Sequence, residues 1–213
     1  MHIWYLLAEQ YLDIYQVTTL RQVCKNLRHL DEKMFLPRIK YEFTYKQILK
    51  LNEMKIFANL TEISIKDCNN ETIISFDNFK KLRALKCMLP IQNLNSTSLE
   101  YLYCDALPEI SHLTNLKVLS FVKHQYNSLN LPKLEELYTY KHIDITAKNL
   151  KKLSYKYCAI GLEEIPKVME IISKFPYLTE LCCVYCKLTR IPYLKYLKKL
   201  LADRNDIESF DHL

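Results

Sequence analysis

A single glycine, Gly161, in 213 residues excludes more than any other feature of this chain. Loops of the GxGxxG or GxxxxGK kind need several glycines so that backbone N–H groups can approach a phosphate, and the GxSxG elbow of serine hydrolases needs two. Also missing are an HExxH helix, a paired-carboxylate motif, and a nucleophile with a base at a recognisable spacing, so neither an enzyme nor a cofactor is expected. There is no apolar run of about 18 residues. The opening "MHIWYLLAEQYLD" has no basic stretch, and Glu9 and Asp13 interrupt its apolar residues, so neither a membrane span nor a signal peptide is expected. The expected location is therefore intracellular, cytoplasmic or nuclear, with the eight cysteines present as free thiols. The net charge of +6 has no long basic block behind it. Its lysines are scattered or fall in short clusters such as Lys148, Lys151 and Lys152, which predicts solvated surface rather than a nucleic-acid partner.

What the chain does have is a repeated phrase, L-x-x-L-x-L-x-x-C/N. Clear copies are Leu60-Ile63-Ile65-Cys68, Leu150-Leu153-Tyr155-Cys158, Leu178-Leu181-Cys183-Cys186 and Leu197-Leu200-Ala202-Asn205. Weaker copies begin at Leu82, Leu99, Leu116 and Leu134. Between first leucines the intervals are 22, 17, 17, 18, 16, 28 and 19 residues. Apolar residues alternate with period two inside each copy and then stop, which predicts one short strand per unit and a return segment after it. Over residues 50 to 213 the sequence resembles the leucine-rich repeat family, closest in "LTELCCVYCKLTRIP" and "LKKLLADRNDIESF". The resemblance implies an α/β leucine-rich repeat solenoid, a horseshoe arc of about eight short repeats, with a small N-terminal helical cap. Several intervals are shorter than that family's usual 20 to 29 residues, so extended or 3₁₀ returns are expected in place of helices. The long interval differs: Ile165, Val168, Met169, Ile171, Ile172 and Phe175 recur at helical spacing behind Pro166. Residues 44 to 57 are read as mostly helical, leading into the first strand.

Phase also decides how the cysteines are read. Cys183 falls on an inward strand position, and Cys186, like Cys68 and Cys158, falls where Asn or Cys satisfies turn backbone. The two make a CxxC pair, but a structural zinc needs four ligands, and no second CxxC or HxxxH lies nearby. Cys182 alternates outward and is the expected reactive thiol. His124 and His142 share the turn position of adjacent units and are read as side chains that hydrogen-bond turn backbone.

Residues 1–45 are read as a separate helical segment before the repeat domain, 46–213. Leu20, Val23, Cys24, Leu27 and Leu30 recur at helical spacing. In wording, "YLDIYQVTTLRQVCKNLRHL" resembles the F-box, although the Leu-Pro-acidic opening of that motif is not in the sequence and Leu27 stands where Trp is common. The resemblance implies docking of a Skp-type adaptor of cullin ubiquitin ligases through Leu7, Leu12, Leu20 and Val23. The alternative is a helical cap that shields the first repeat.

The third, fifth and seventh residues of each unit should form the concave sheet face. There Tyr101, Tyr103, Val118, Val122, Tyr138 and Tyr140 make an aromatic and apolar centre with charge at both ends. Tyrosines give a large contact area with few rotors to freeze, so this is the expected site for a protein partner. At the other end, the last unit begins at Leu197 with no recognisable capping segment after it. Its edge is expected either to self-associate weakly, to dock a partner, or to be protected by Lys198, Lys199, Asp203 and Arg204.

Overall fold

A computed structural model describes residues 42–44, 46, 48, 49, 60–65, 73–140, 143–156 and 165–208. In chain order the elements are β1 (Glu42–Phe43), β2 (Glu62–Ile65), β3 (Ile74–Ser75), β4 (Ala84–Cys87), β5 (Ile91–Gln92), β6 (Tyr101–Cys104) and β7 (Val118–Phe121). They continue with β8 (Ser128–Asn130), β9 (Glu136–Thr139), β10 (Asp144–Thr146), β11 (Lys152–Lys156), α1 (Ile165–Ser173), β12 (Glu180–Val184) and β13 (Lys199–Leu201). One nine-stranded sheet runs β1-β2-β4-β6-β7-β9-β11-β12-β13, and all its pairs are parallel. The chain is thus a mostly parallel β-solenoid of about seven turns, whose returns carry two small sheets, β3–β5 and β8–β10, and little helix among the described residues.

The strands fall where the repeated phrase predicts them. Residue three of each unit pairs with residue three of the next, giving the row Glu62, Ala84, Tyr101, Val118, Glu136, Lys152, Glu180, Lys199. In the neighbouring row Ile63, Leu85, Leu102, Leu119, Leu137, Leu153 and Leu181 are buried, and the last member, Leu200, is partly buried. At about 1.5–3 kcal/mol per buried aliphatic side chain, this row and the first leucines supply much of what opposes chain entropy.

Seven strands of the main sheet, β4, β6, β7, β9, β11, β12 and β13, are entered through the same turn. The N–H groups of Leu82, Leu99, Leu116, Leu134, Leu150, Leu178 and Leu197 donate to the carbonyl three residues earlier. Two successive N–H groups then share one carbonyl of the preceding unit, as Arg83 and Ala84 do with Thr61 at 2.7 and 3.0 Å. Repeating this link locks the step between units without requiring glycine.

In the long interval α1 covers Ile165–Ser173, as the spacing predicts, with Val168, Ile171, Ile172 and Phe175 buried. Ile48 N–H donates to Thr44 O in a helical bond, and Lys46, Ile48 and Leu49 are helical, in line with the expectation for that stretch. One element differs from the sequence reading: β1 lies inside the stretch assigned to the helical segment, yet pairs with β2 in the main sheet. Adding a strand satisfies the backbone edge of β2, which a helix beginning there would leave open.

Charges mark the register on the solvent side. Glu100 takes Arg83 Nη2 and Lys117 Nζ, both at 2.8 Å, from the units before and after it, and Lys151 reaches Glu135 at 2.8 Å. One row over, Lys152 lies 3.3 Å from Glu136 and 3.6 Å from Glu180, and Lys199 lies 3.9 Å from Glu180. Exposed pairs of this kind contribute about 0–1 kcal/mol each, so they favour the correct register more than they stabilise the fold.

Two outcomes test this account. Leu153→Asp places a carboxylate, without a partner, between Leu137 and Leu181 at a position 2% exposed, and several kcal/mol of desolvation should abolish the cooperative thermal transition. Retention of that transition would show the register to be wrong. Lys117 first, and then Arg83, hold the Glu100 carboxyl below the usual glutamate range. Stability from such a group is complete above its unfolded-state pKa and is lost as pH falls through the folded-state value. Glu100→Gln should therefore remove about 1 kcal/mol at neutral pH and flatten the acid limb of a denaturation series below about pH 4.3.

Candidate functional site

Period-two alternation turns the third and fifth residues of every unit away from the leucine rows, onto the open face of the sheet. Near the middle of that face β6 presents Tyr101 and Tyr103, 38% and 37% exposed, and Tyr140, just past β9, is 41% exposed. Register sets Tyr103 beside Ser120 and Ser120 beside Tyr138. The two rings therefore start about 9.5 Å apart, two strand spacings. Ser120 between them leaves a shallow seat.

Not all six predicted contact residues are equally available. Val118 is only 6% exposed, with Tyr101 and Glu136 as its register neighbours, so it forms floor rather than contact surface. Tyr138 and Val122 are half-buried. The Tyr138 hydroxyl donates to Glu136 Oε2 at 2.7 Å. Burial foremost, then this bond to Glu136, raises the Tyr138 hydroxyl pKa; burial, then the Glu136 charge, raises that of Tyr103. Both rings therefore offer neutral hydroxyls throughout the physiological range. Leu7, Leu12, Leu20 and Val23 lie outside the described residues.

The cysteine phrase resolves as phase suggests. Cys183 is fully buried, its thiol pKa pushed up to about 12, mainly by burial. The Cys186 thiol faces the Tyr155 and Val184 carbonyls, each at 3.6 Å. In the next unit Asn205 does the same task more fully. Its Oδ1 accepts from Cys186 and Leu188 N–H at 3.0 Å each, and its Nδ2 donates to Cys183 O at 2.6 Å and Ala202 O at 2.8 Å. His124 Nδ1 donates to Tyr126 O at 3.0 Å, as a turn-bonding residue should. Cys68, Cys158 and His142 lie outside the described residues. No three His, Cys, Asp or Glu side chains among the described residues converge to hold a metal. No helix among them is long and apolar enough to cross a membrane.

Three features were not anticipated from sequence. The charge ladder is one, although aligning the units shows Arg83, Glu100, Lys117, Glu135 and Lys151 alternating in a single column. A second is a pair of stacked rings, Tyr177 and Tyr196, with centroids 5.8 Å apart. Each immediately precedes the first leucine of its unit, so the same alignment would have found it. The third is a groove of about 710 Å³ on the return side, bordered by Ile91–Asn95, Ala106–Glu109 and Lys123–Tyr126. It opens where the return pairing breaks between β5 and β8, at the segment holding Pro108, which has no N–H to donate. His112 Nε2 and His124 Nδ1 in its wall already donate to the Leu94 and Tyr126 carbonyls. The open face, with its exposed tyrosines, is the stronger site.

No protein-family model, curated protein or solved structure matches the chain.

One reactivity follows from these positions. Among Cys87, Cys104, Cys182, Cys183 and Cys186, only Cys182 is other than buried. Burial also raises the Cys104 thiol pKa, so Cys104 and Cys183 both resist forming the nucleophilic thiolate. Brief iodoacetamide treatment of the folded chain, mapped by peptide mass, should label Cys182 before the other four. Equal labelling of Cys183 would contradict the alternation of β12.

Proposed function

We propose that the chain is a non-catalytic leucine-rich repeat protein, a horseshoe whose open face is concave and binds a protein partner through Tyr101, Tyr103 and Tyr140. The observation that carries this reading is the exposure of those three tyrosines at outward positions of neighbouring units, with Val118 and Ser120 on the strand between them. Exposed aromatic rings beside a buried valine, rimmed by ion pairs, have the composition of a binding hot spot. The phrase "YLDIYQVTTLRQVCKNLRHL" supports a more specific form: an F-box-like segment recruits a Skp-type adaptor, and the repeats select a protein for ubiquitin transfer. The plain alternative is a repeat scaffold in which that segment serves as a helical cap. An intracellular setting, cytoplasmic or nuclear, suits either form. β13 pairs on one side only among the described residues, which supports weak self-association at that edge as an accessory property.

The test is an affinity pull-down with mass-spectrometric identification, run in parallel on wild type, Tyr103→Ala/Tyr140→Ala and Tyr193→Ala/Tyr196→Ala. A true partner should be depleted about tenfold or more by the first pair and unchanged by the second, whose rings lie off the face. Equal recovery with both pairs would refute the open-face reading. Loss of a co-purifying Skp-type adaptor on Leu12→Asp would support the ubiquitin-ligase form, and absence of any such adaptor would favour the scaffold.

A further inference from the structure

Two adjacent turns of the solenoid are joined at two places and run apart between them. Cys87 and Cys104 are register partners in the main sheet, and farther along His112 Nε2 donates to Leu94 O at 2.6 Å. Among the described residues no hydrogen bond links 88–93 to 105–111. The groove of about 710 Å³ on the return side is this split. We propose that it is a strand-addition site: a short extended segment of a protein partner, uncharged and apolar at alternate residues, enters the split and pairs with Ile91 on one side and Ala106 on the other. The site does not depend on the open-face reading.

The directions of the backbone groups carry the argument. Ile74 N–H donates to Pro90 O at 3.0 Å, and Ile74 is the register partner of Ile91. Alternation therefore turns the N–H and C=O of Ile91 away from β3 and into the split. On the other wall Lys123 N–H donates to Asp105 O at 2.7 Å, and Leu107 N–H donates to Lys123 O at 2.8 Å. Ala106, between them, is bridged to Lys123, so its own N–H and C=O point away from Lys123 and toward the same split. Two strand edges thus face each other across the groove, each with a donor and an acceptor. A peptide backbone satisfies that set, whereas an anion or a purely apolar molecule does not.

Local sequence keeps the edges apart. Counted from the first leucine of each unit, Pro108 takes the place that Ile91 has in the unit before it, and it has no N–H to offer. Beyond Pro108 the chain bonds to itself, Ser111 N–H to Glu109 Oε1 at 2.8 Å and Leu113 N–H to Ile110 O at 2.9 Å. The opposite wall is held from behind, where Asp77 accepts from Asn93 Nδ2 at 3.2 Å and from Asn95 Nδ2 at 2.5 Å. An edge fixed in advance lowers the ordering cost of binding. The lining also sets the chemistry of the segment. Lys123 is paired with Asp105 at 2.9 Å and Glu109 is engaged by Ser111, so neither calls for a counter-charge. Ile91, Ala106, Pro108 and Tyr126 are half-buried beside buried Leu94 and Leu107, which favours an apolar side chain between them.

The experiment uses the full chain and an immobilised library of random hexapeptides with acetylated and amidated ends. Retained peptides should carry apolar residues at alternate positions and no charge at the centre. In a strand paired on both sides every central N–H is engaged, so N-methylation of either of two adjacent central residues should weaken binding about tenfold. Sensitivity at neither residue, or at only one of them, would overturn insertion between the edges. Amide exchange in the wild-type chain, with a retained peptide at about ten times its Kd, should slow about tenfold at both Ile91 and Ala106. Unchanged exchange at either would overturn the proposal, and this readout needs no variant. Ala106→Trp, which crowds the split, should weaken the same peptides about tenfold, and Tyr103→Ala/Tyr140→Ala should leave them unchanged. Peptides lost with the tyrosine pair but not with Ala106→Trp would belong to the open face, overturning the strand site and leaving the open-face reading standing. Failure to retain any peptide would overturn the strand site alone.

Discussion

The row Ile63, Leu85, Leu102, Leu119, Leu137, Leu153 and Leu181 is the constraint on which the rest of the molecule depends. In a strand of period two, a slip by one residue would turn every member of this row to solvent, so burial of the whole row fixes the register of the whole sheet. Once the row is set, Tyr101, Tyr103, Ser154 and Cys182 have no freedom to choose a face. The binding surface is thus a consequence of the core, one residue away from it in every unit.

Nearly all of the main sheet was legible in the sequence, because one-dimensional phase is enough to place a strand in a repeated unit. Eight phrases became eight adjacent strands with the expected residues in register, and the single long interval became α1. The turn roles of Cys186, His124 and Asn205 were legible for the same reason. Phase says little about depth, which depends on neighbours in other units. Val118 shares its phase with Tyr101 but is covered, whereas Tyr101 is exposed. The groove at Pro108 escaped for the same reason: it is defined by what adjacent turns fail to supply.

The scarcity of glycine has a local consequence in the turns. Asn93, Tyr185, Lys187 and Arg204 adopt left-handed backbone, with φ of 54°, 57°, 50° and 58°. A residue with a Cβ meets a steric penalty of about 1–2 kcal/mol there. Neighbouring contacts offset it. Asn93 donates to Asp77 Oδ2 at 3.2 Å, a use of asparagine that suits this conformation. Tyr185 N–H donates to Asp203 O at 3.1 Å, and its ring lies 4.6 Å from the Arg204 guanidinium. The turns at Asn93 and Tyr185 are therefore held by links to neighbouring units, so that turn geometry, like the sheet, is set by stacking.

The central claim is the register, and backbone nuclear Overhauser contacts in the isotope-labelled chain read it directly. The account requires contacts between Tyr103 and Ser120, Ser120 and Tyr138, and Ser154 and Cys182 across neighbouring strands. Contacts of Tyr103 with Leu119 or Phe121 in the paired positions instead would mean a one-residue slip, and would remove both the leucine core and the tyrosine face described above.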